Sequence, residues 1–378
     1  SKNRSKLQED LGLGGNVLGK NFVLVSFGES HGKCVGAVVD GCPAGLPLSE
    51  KDIQEDLDRR RPGQSTVTTS RAEEDKVEIL SGVFEGYTTG APICMVVWNF
   101  DVDSSKYYEF RDKPRPGHAD YTARVRYGGF NDFRGGGRLS GRVTASFVMG
   151  GAVAKKLLRE VLGVRVEAYT VKIGGVEARE VSDAGIERRY ENPVRCPDFE
   201  AATRMIEVIE DVRRRGDSVG GVVECRVIGL PPGVGSPVFD TLEGDISRAL
   251  FAIPAVKAVE FGSGVRAAEL TGSAHNDPFT IRSGKIVTET NNAGGILGGI
   301  SSGMPIVCRV TFKPTPSISK PQKTVDLTRG EETTIEVKGR HDPCIVPRAI
   351  PVVEAMVALV LADHAVTLGL IPPVIGGK

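Results

Sequence analysis

Short apolar runs at residues 22–27, 35–39, 77–80 and 93–98 are bounded by glycine, proline or polar turn residues, the pattern of strands. Between the second and third, Ser49 and Asp52 make a capping-box-like start to a helix in which Ile53 and Leu57 share a face, and Pro62 and Gly63 end it. Arg59, Arg60 and Arg61 then fall at its carboxyl end, where cations complement the helix dipole. After Arg142, the run VTASFVMGGAVAKKLLREVLG predicts a helix with apolar or small residues around most of its first half, stopping at Gly163. Gly150 and Gly151 would each cost about 1 kcal/mol relative to alanine in an exposed helix, so they point to another backbone packed closely against them. A strand at 164–173 follows, then an amphipathic helix with Ala202, Met205, Ile206, Ile209 and Val212 on one face, ending at Gly216. The last helix, from about 351 to 368, has proline in its first turn and apolar residues on nearly every side. Both long apolar helices belong in the core.

The two halves of the chain repeat one another. Residues 32–39 (GKCVGAVV) match 216–223 (GDSVGGVV), and each segment leads through a Gly/Pro turn to a helix containing Asp-Ile, at Asp52 and Ile53 or at Asp245 and Ile246. Residues 82–97 match 295–310 with Gly86 opposite Gly299, Gly90 opposite Gly303 and Pro92 opposite Pro305. His118 falls opposite His341, and the helix after Arg142 opposite the last helix. Ordered correspondences of this kind outweigh chance similarity between glycine-rich segments and imply a duplication, residues 20–165 and 217–370. The predicted fold class is α+β, an internally duplicated β-α-β sandwich in one domain over 1–378, with helices packed between two antiparallel sheets. Residues 1–14 read as a flexible terminus.

Forty-eight basic residues balance forty-eight acidic ones, which argues against a general nucleic-acid binder. Seven cysteines without CxxC pairs indicate neither a zinc site nor a disulfide framework and fit a reducing, cytoplasmic setting. No apolar run approaches the ~20 residues needed to cross a membrane, and the polar start SKNRSKLQED lacks a signal-peptide core.

Against that neutral background one stretch stands out. Residues 115–142 carry Arg115, Arg124, Arg126, Arg134, Arg138 and Arg142 with His118 and three successive glycines, Gly135 to Gly137, and no continuous apolar face. Glycines let backbone N–H groups approach a ligand, and arginine forks bind phosphate or carboxylate, so a multiply anionic small molecule is the natural guest. Three of the five histidines sit in polar turns beside glycine and a carboxylate: His31 in GESHG, His118 in RPGHAD and His341 in GRHDPC. That setting suits acid–base work or recognition of a leaving phosphate. Their spacing is no metal signature, and guanidinium neighbours would repel a cation. His275 and His364 read as structural. A second glycine cluster, residues 291–305, offers backbone donors and precedes FKPTPS, whereas neither GxGxxG after a strand nor a P-loop is present. A flat ring system gripped by loops fits these features. A non-catalytic anion- or RNA-binding protein is the alternative, weakened by neutral charge and few aromatics; a simple phosphatase is another.

GESHG, DLDRRRPG, LSGVFEG, TTG, RPGHADYT, RGGGR, NAGGILGGISSG, FKPT and GRHDPC, in that order, cover the chain from about Gly15 to the final helix, and in them it resembles the chorismate synthases. The resemblance implies a homotetramer that eliminates phosphate from 5-enolpyruvylshikimate 3-phosphate, 1,4 and anti, using reduced FMN without net redox change. It leaves open whether NADPH reduces that flavin on the protein. Residue by residue, it implies that His31 protonates the departing phosphate, that His118 is the proton donor stabilising the reduced flavin's charge, and that Asp342 helps keep the flavin N5 basic. Arg60, Arg115, Ser140, Arg142 and Arg340 match substrate-binding positions. Arg138, Leu139, Ser140, Ala255, Gly298, Lys313, Pro314, Thr315, Pro316, Ser317 and Arg340 match flavin-binding ones. Thr66 stands where the family has an arginine, Leu139 for a serine, Val143 for a glutamate and Pro254 for an asparagine.

Overall fold

A computed structural model describes residues 15–61, 75–100, 104–337 and 341–376. The 1–14 segment, Thr66 and Arg340 lie outside the described residues. Two five-stranded antiparallel sheets enclose a layer of helices. The first contains β1 (Val17–Leu18), β2 (Val23–Gly28), β3 (Cys34–Asp40), β4 (Val77–Ile79) and β5 (Ile93–Trp98) in the order β1-β2-β3-β5-β4. The second contains β6 (Arg165–Ile173), β7 (Val176–Glu177), β8 (Gly221–Ile228), β9 (Val256–Phe261) and β10 (Ile306–Phe312) in the order β9-β10-β8-β6-β7. Strand alternation turns Leu24, Val35, Ala37, Val39, Ile93, Met95 and Val97 inward from one sheet, and Val223, Cys225, Val227, Ile306, Cys308 and Val310 from the other.

Between the sheets lie α1 (Glu50–Arg60), α2 (Thr144–Leu162), α4 (Leu242–Phe251) and α5 (Val346–Thr367), while α3 (Phe199–Arg214) packs beside β6 and β7. Asp52 accepts a hydrogen bond from the Ser49 N–H at 2.8 Å, which starts α1 where the sequence places it. Gly163, in the left-handed region at φ 69°, ends α2. The glycine pair in α2 divides its work. A Cβ on Gly151 would lie 2.3 Å from Ala355 Cα, so the backbones of α2 and α5 touch there, whereas Gly150 makes room for the Leu24 side chain of β2.

α5 differs from expectation in two ways. It begins at Val346, so Pro347 stands in its first turn and Pro351 inside the helix. Pro351 has no N–H to give Pro347, and the vacated carbonyl instead accepts from Arg195 Nη1 at 2.7 Å. α5, 22 residues long, is also long and apolar enough to span a bilayer, contrary to the sequence reading, but it is almost wholly buried inside the protein, as a core helix is.

The order of elements in the first half recurs in the second. β3 leads to α1 and pairs with β5, and β8 leads to α4 and pairs with β10. Gly86 and Gly299 have φ of 80° and 81° in the short hairpins between them.

Candidate active site

The GESHG turn closes β2 and β3, and the RGGGR segment lies directly on it. Gly135, Gly136 and Gly137 have φ of 60°, 83° and 55°. At Gly135 a Cβ would come within 2.2 Å of His31 Cδ2 and 2.7 Å of Ser30 Oγ, so no other residue fits without displacing the histidine. The Ser30 N–H donates to Gly137 O at 3.1 Å and fixes the contact. His31 is 5% exposed; its Nδ1 meets Ser104 Oγ at 2.9 Å, and its ring lies edge-on to Tyr107 with centroids 5.0 Å apart. Arg138 donates to Ser26 O at 2.7 Å and to Asn16 Oδ1 at 3.0 Å, and its buried Nη1 finds no partner among the described residues. Burial holds that guanidinium below its ordinary pKa.

His118 is held differently. Its Nδ1 lies 3.1 Å from the Pro116 carbonyl, an acceptor only, so Nδ1 carries the proton and Nε2 accepts from Ser317 Oγ at 2.7 Å. Burial, helped by the Arg115 and Lys313 cations, pushes its pKa down from 6.5 to about 4, against the opposing pull of Pro116 O and Asp120. In the ligand-free protein these surroundings favour the neutral imidazole of His118. Lys313 Nζ donates to Gly117 O at 2.7 Å, and Pro316 packs on Gly117, which ties the FKPTPS loop to the RPGHAD turn. Thr315 Oγ1 is buried and unpartnered among the described residues. Lys313 N–H bonds Ala255 O at 2.9 Å, and Ala255 is itself left-handed at φ 75°.

Three of the expected substrate arginines, Arg60, Arg115 and Arg142, are already engaged by carboxylates. Arg115 forks onto Asp120 with both bonds at 2.8 Å, under the rings of Phe110 and Tyr107. Arg60 donates to Asp75 at 2.8 Å, to Thr144 Oγ1 at 2.9 Å and to Gly141 O at 3.0 Å, and is 3% exposed. Arg142 pairs with the other oxygen of Asp75 and donates to Asn99 Oδ1 at 3.1 Å. Asn99 also holds the GESHG turn through Glu29 O and Gly32 O, so one side chain joins Arg142 to His31's loop. Asp342 pairs with Arg348, whose Nε reaches Arg60 O at 3.2 Å. Ser140 accepts from the Arg142 N–H, and Leu139 is half-exposed beside it. Gly298 stands apart: it turns the hairpin Ile296–Leu297 to Ile300–Ser301, whose Gly299 lies against Thr241 and Gly235. Of the residues left structural, His275 bonds Ser263 Oγ at 2.9 Å and His364 bonds Asp245 at 2.8 Å.

Asp75, Asn99, Ser104 and Tyr107 escape sequence reasoning. The first two are single polar residues at strand edges, and the last two sit at a short helical turn, residues 105–107, whose only signal is aromatic residues in a polar context.

The model of the family described as "Chorismate synthase" matches residues 22–366, nearly the whole described chain. The chain belongs to the chorismate synthase family. It is 59% identical over 353 residues to the chorismate synthase of Korarchaeum cryptofilum, covering 93% of this chain and 98% of that protein. To the chorismate synthase of Methanothermobacter thermautotrophicus it is 58% identical over 363 residues, 96% of each. A crystal structure of chorismate synthase matches with a TM-score of 0.72 at 33% identity over 92% of each chain. The chain is accordingly an enzyme, a lyase of the chorismate synthase family, with its α+β architecture. Val143 is buried at the foot of α2, where an apolar side chain needs no partner.

Proposed function

We propose that this chain converts 5-enolpyruvylshikimate 3-phosphate to chorismate and phosphate by 1,4-anti elimination with reduced FMN. One observation carries the reading: the histidine turns, far apart in sequence, share one surface through Tyr107, which touches both His31 and the Arg115 guanidinium beside His118. Cofactor-directed residues fit a phosphorylated flavin as a donor set, since Arg138 Nη1 and Thr315 Oγ1 are buried donors awaiting an acceptor and Lys313 adds a cation. When bound, the reduced flavin supplies electron density and a basic ring nitrogen for a reaction with no net redox change.

The side chains then act in order. Arg115, Arg142 and Arg340 meet the substrate's phosphate and carboxylates, with Arg60 bracing Arg142 through Asp75. Anionic ligands beside His118 favour its imidazolium, which makes it a donor only in the loaded enzyme. His31 gives its proton to the phosphate as the carbon–oxygen bond breaks and the bonding pair leaves with it. Asp342, held by Arg348, would keep a negative charge on the side of the site that takes the flavin, whose basic ring nitrogen would supply the base for the C6 hydrogen.

Phosphate release assayed with and without reduced FMN tests the reading. Release only with reduced FMN is expected; release without flavin would indicate a phosphatase, and binding without release an anion-binding protein. Because the same loops serve both ligands, substrate should bind flavin-loaded protein more tightly by about 1–3 kcal/mol, reciprocally. Equal affinity with and without flavin would refute a shared site.

We also propose a homotetramer and descent of 20–165 and 217–370 from one duplicated unit. In support of the first, Val25, Val38 and Cys94 form an uncharged cross-strand row on the outer face of the first sheet, beside Phe27 lying over Gly36. Val38→Glu should lower the oligomeric mass in light scattering. For the second, α2 and α5 should superpose when the halves are aligned. Seven free thiols suit a cytoplasmic setting.

A further inference from the structure

Two helices meet behind the candidate site, and a single guanidinium joins them. α1 ends at Arg60, so its last carbonyls point past the helix without helical donors. α5 carries a second vacated acceptor, Pro347 O, because Pro351 has no N–H to offer it. Arg195 fills both, with Nη2 on Arg59 O at 2.5 Å and Nη1 on Pro347 O at 2.7 Å. Its backbone is anchored for the purpose. Arg195 is 7% exposed and left-handed at φ 57°, its N–H donates to Asn192 O and its carbonyl accepts from Thr170 N–H of β6, both at 3.1 Å. The Tyr190 ring steadies the guanidinium at 5.2 Å, with Arg59 at 4.6 Å on the same ring.

What lies at the two joined ends gives this clamp its meaning. The residue after Arg59 is Arg60, which braces Asp75 and through it Arg142. The residue after Pro347 is Arg348, which holds Asp342 and also reaches back to Arg60 O. We infer that Arg195 is a positioning residue: by bridging the carboxyl end of α1 and the opened first turn of α5, it sets the spacing between the arginine side of the site and the Asp342 side. A planar fork can satisfy two carbonyls on different helices at once, and an ammonium on a flexible stem cannot hold that geometry. This inference rests on the function proposed above for Arg142 and Asp342.

The test uses the full chain with Arg195→Gly, which tolerates the left-handed backbone, and Arg195→Lys. Hydrogen–deuterium exchange, which needs no substrate, should become roughly tenfold faster in peptides from both helix ends, residues 55–61 and 346–354, in either variant. In the flavin-dependent assay, KM for the phosphorylated substrate should rise about tenfold or more while kcat stays within about threefold. Millimolar guanidinium ion should restore both readouts in Arg195→Gly, whereas methylammonium should not. Faster exchange at only one end, unchanged KM in Arg195→Lys, or no rescue by guanidinium would overturn the clamp. If Arg195→Gly does not fold, Arg195→Lys alone decides through exchange and KM. A wild-type chain that releases no phosphate would defeat the functional reading, and the exchange result would still decide whether Arg195 joins the two helix ends.

Discussion

His31 and His118 occupy similar glycine turns yet are prepared for different work. The Nδ1 of His118 faces a backbone carbonyl, which can only accept, so its tautomer is fixed and its burial beside Arg115 and Lys313 keeps it neutral. The Nδ1 of His31 faces the Ser104 hydroxyl, which can donate or accept, so either protonation state of the ring keeps its partner. A histidine against a carbonyl has its neutral tautomer fixed and exchanges its proton at the other nitrogen, here Nε2 facing the Ser317 hydroxyl; a histidine against a hydroxyl can exchange a proton at the facing nitrogen without losing that bond. The same residue type, in two turns of like composition, is specialised by the class of atom opposite one nitrogen.

The largest expected effect comes from removing the fixed one. His118→Ala should bind flavin and substrate but turn over at least ~10²-fold more slowly in single-turnover assays; equal turnover would return His118 to a structural role. Gly135→Ala should reduce turnover by roughly tenfold while leaving the His118 titration alone, because the new Cβ strikes His31 and a non-glycine residue at φ 60° is strained by about 1–3 kcal/mol. If both histidines titrate differently in that variant, the two turns are less independent than their contacts indicate. On the pH axis, NMR of the ligand-free protein should find His118 neutral down to about pH 4. Since the folded state binds this proton less tightly than the unfolded chain, stability from this group is complete above pH 6.5 and declines as pH falls toward about 4. His118→Gln should flatten that acid-side slope, and an unchanged slope would assign it to other groups. Ser104→Ala should have the smallest effect, a few-fold in turnover for one hydrogen bond of about 1 kcal/mol. A loss as large as that of His118→Ala would make Ser104 part of the proton path.

Local rules made much of the fold legible. β5 runs over the predicted residues, Gly163 ends α2, and Asp52 caps α1 because each depends on neighbours within a few positions. α5 begins about a turn before the proline that the sequence marks as its start, for a long-range reason. A proline ordinarily marks a helix start, and only Arg195, 152 residues from Pro347, makes Pro351 tolerable inside one. The site divides in the same way. His31, His118 and the three glycines announce themselves as motifs, and Asp120 stands in the same motif as the Arg115 it occupies, but the carboxylate shared by Arg60 and Arg142 becomes known only once chain segments meet, as Asp75 meets Arg142 across 67 residues.

α5 touches both sheets and three helices, and among the described elements it is also the last to be synthesised. At roughly 5–20 residues per second, about 10–40 s pass between the emergence of α2 and that of α5. Through that interval Gly151 faces no Ala355, and the inner faces of β6 and β8 lack most of their helix cover. The nascent chain therefore waits with part of its interior open. Asp342 and Arg348 arrive with the same segment, so the step that closes the core in the cell is also the step that completes the candidate site.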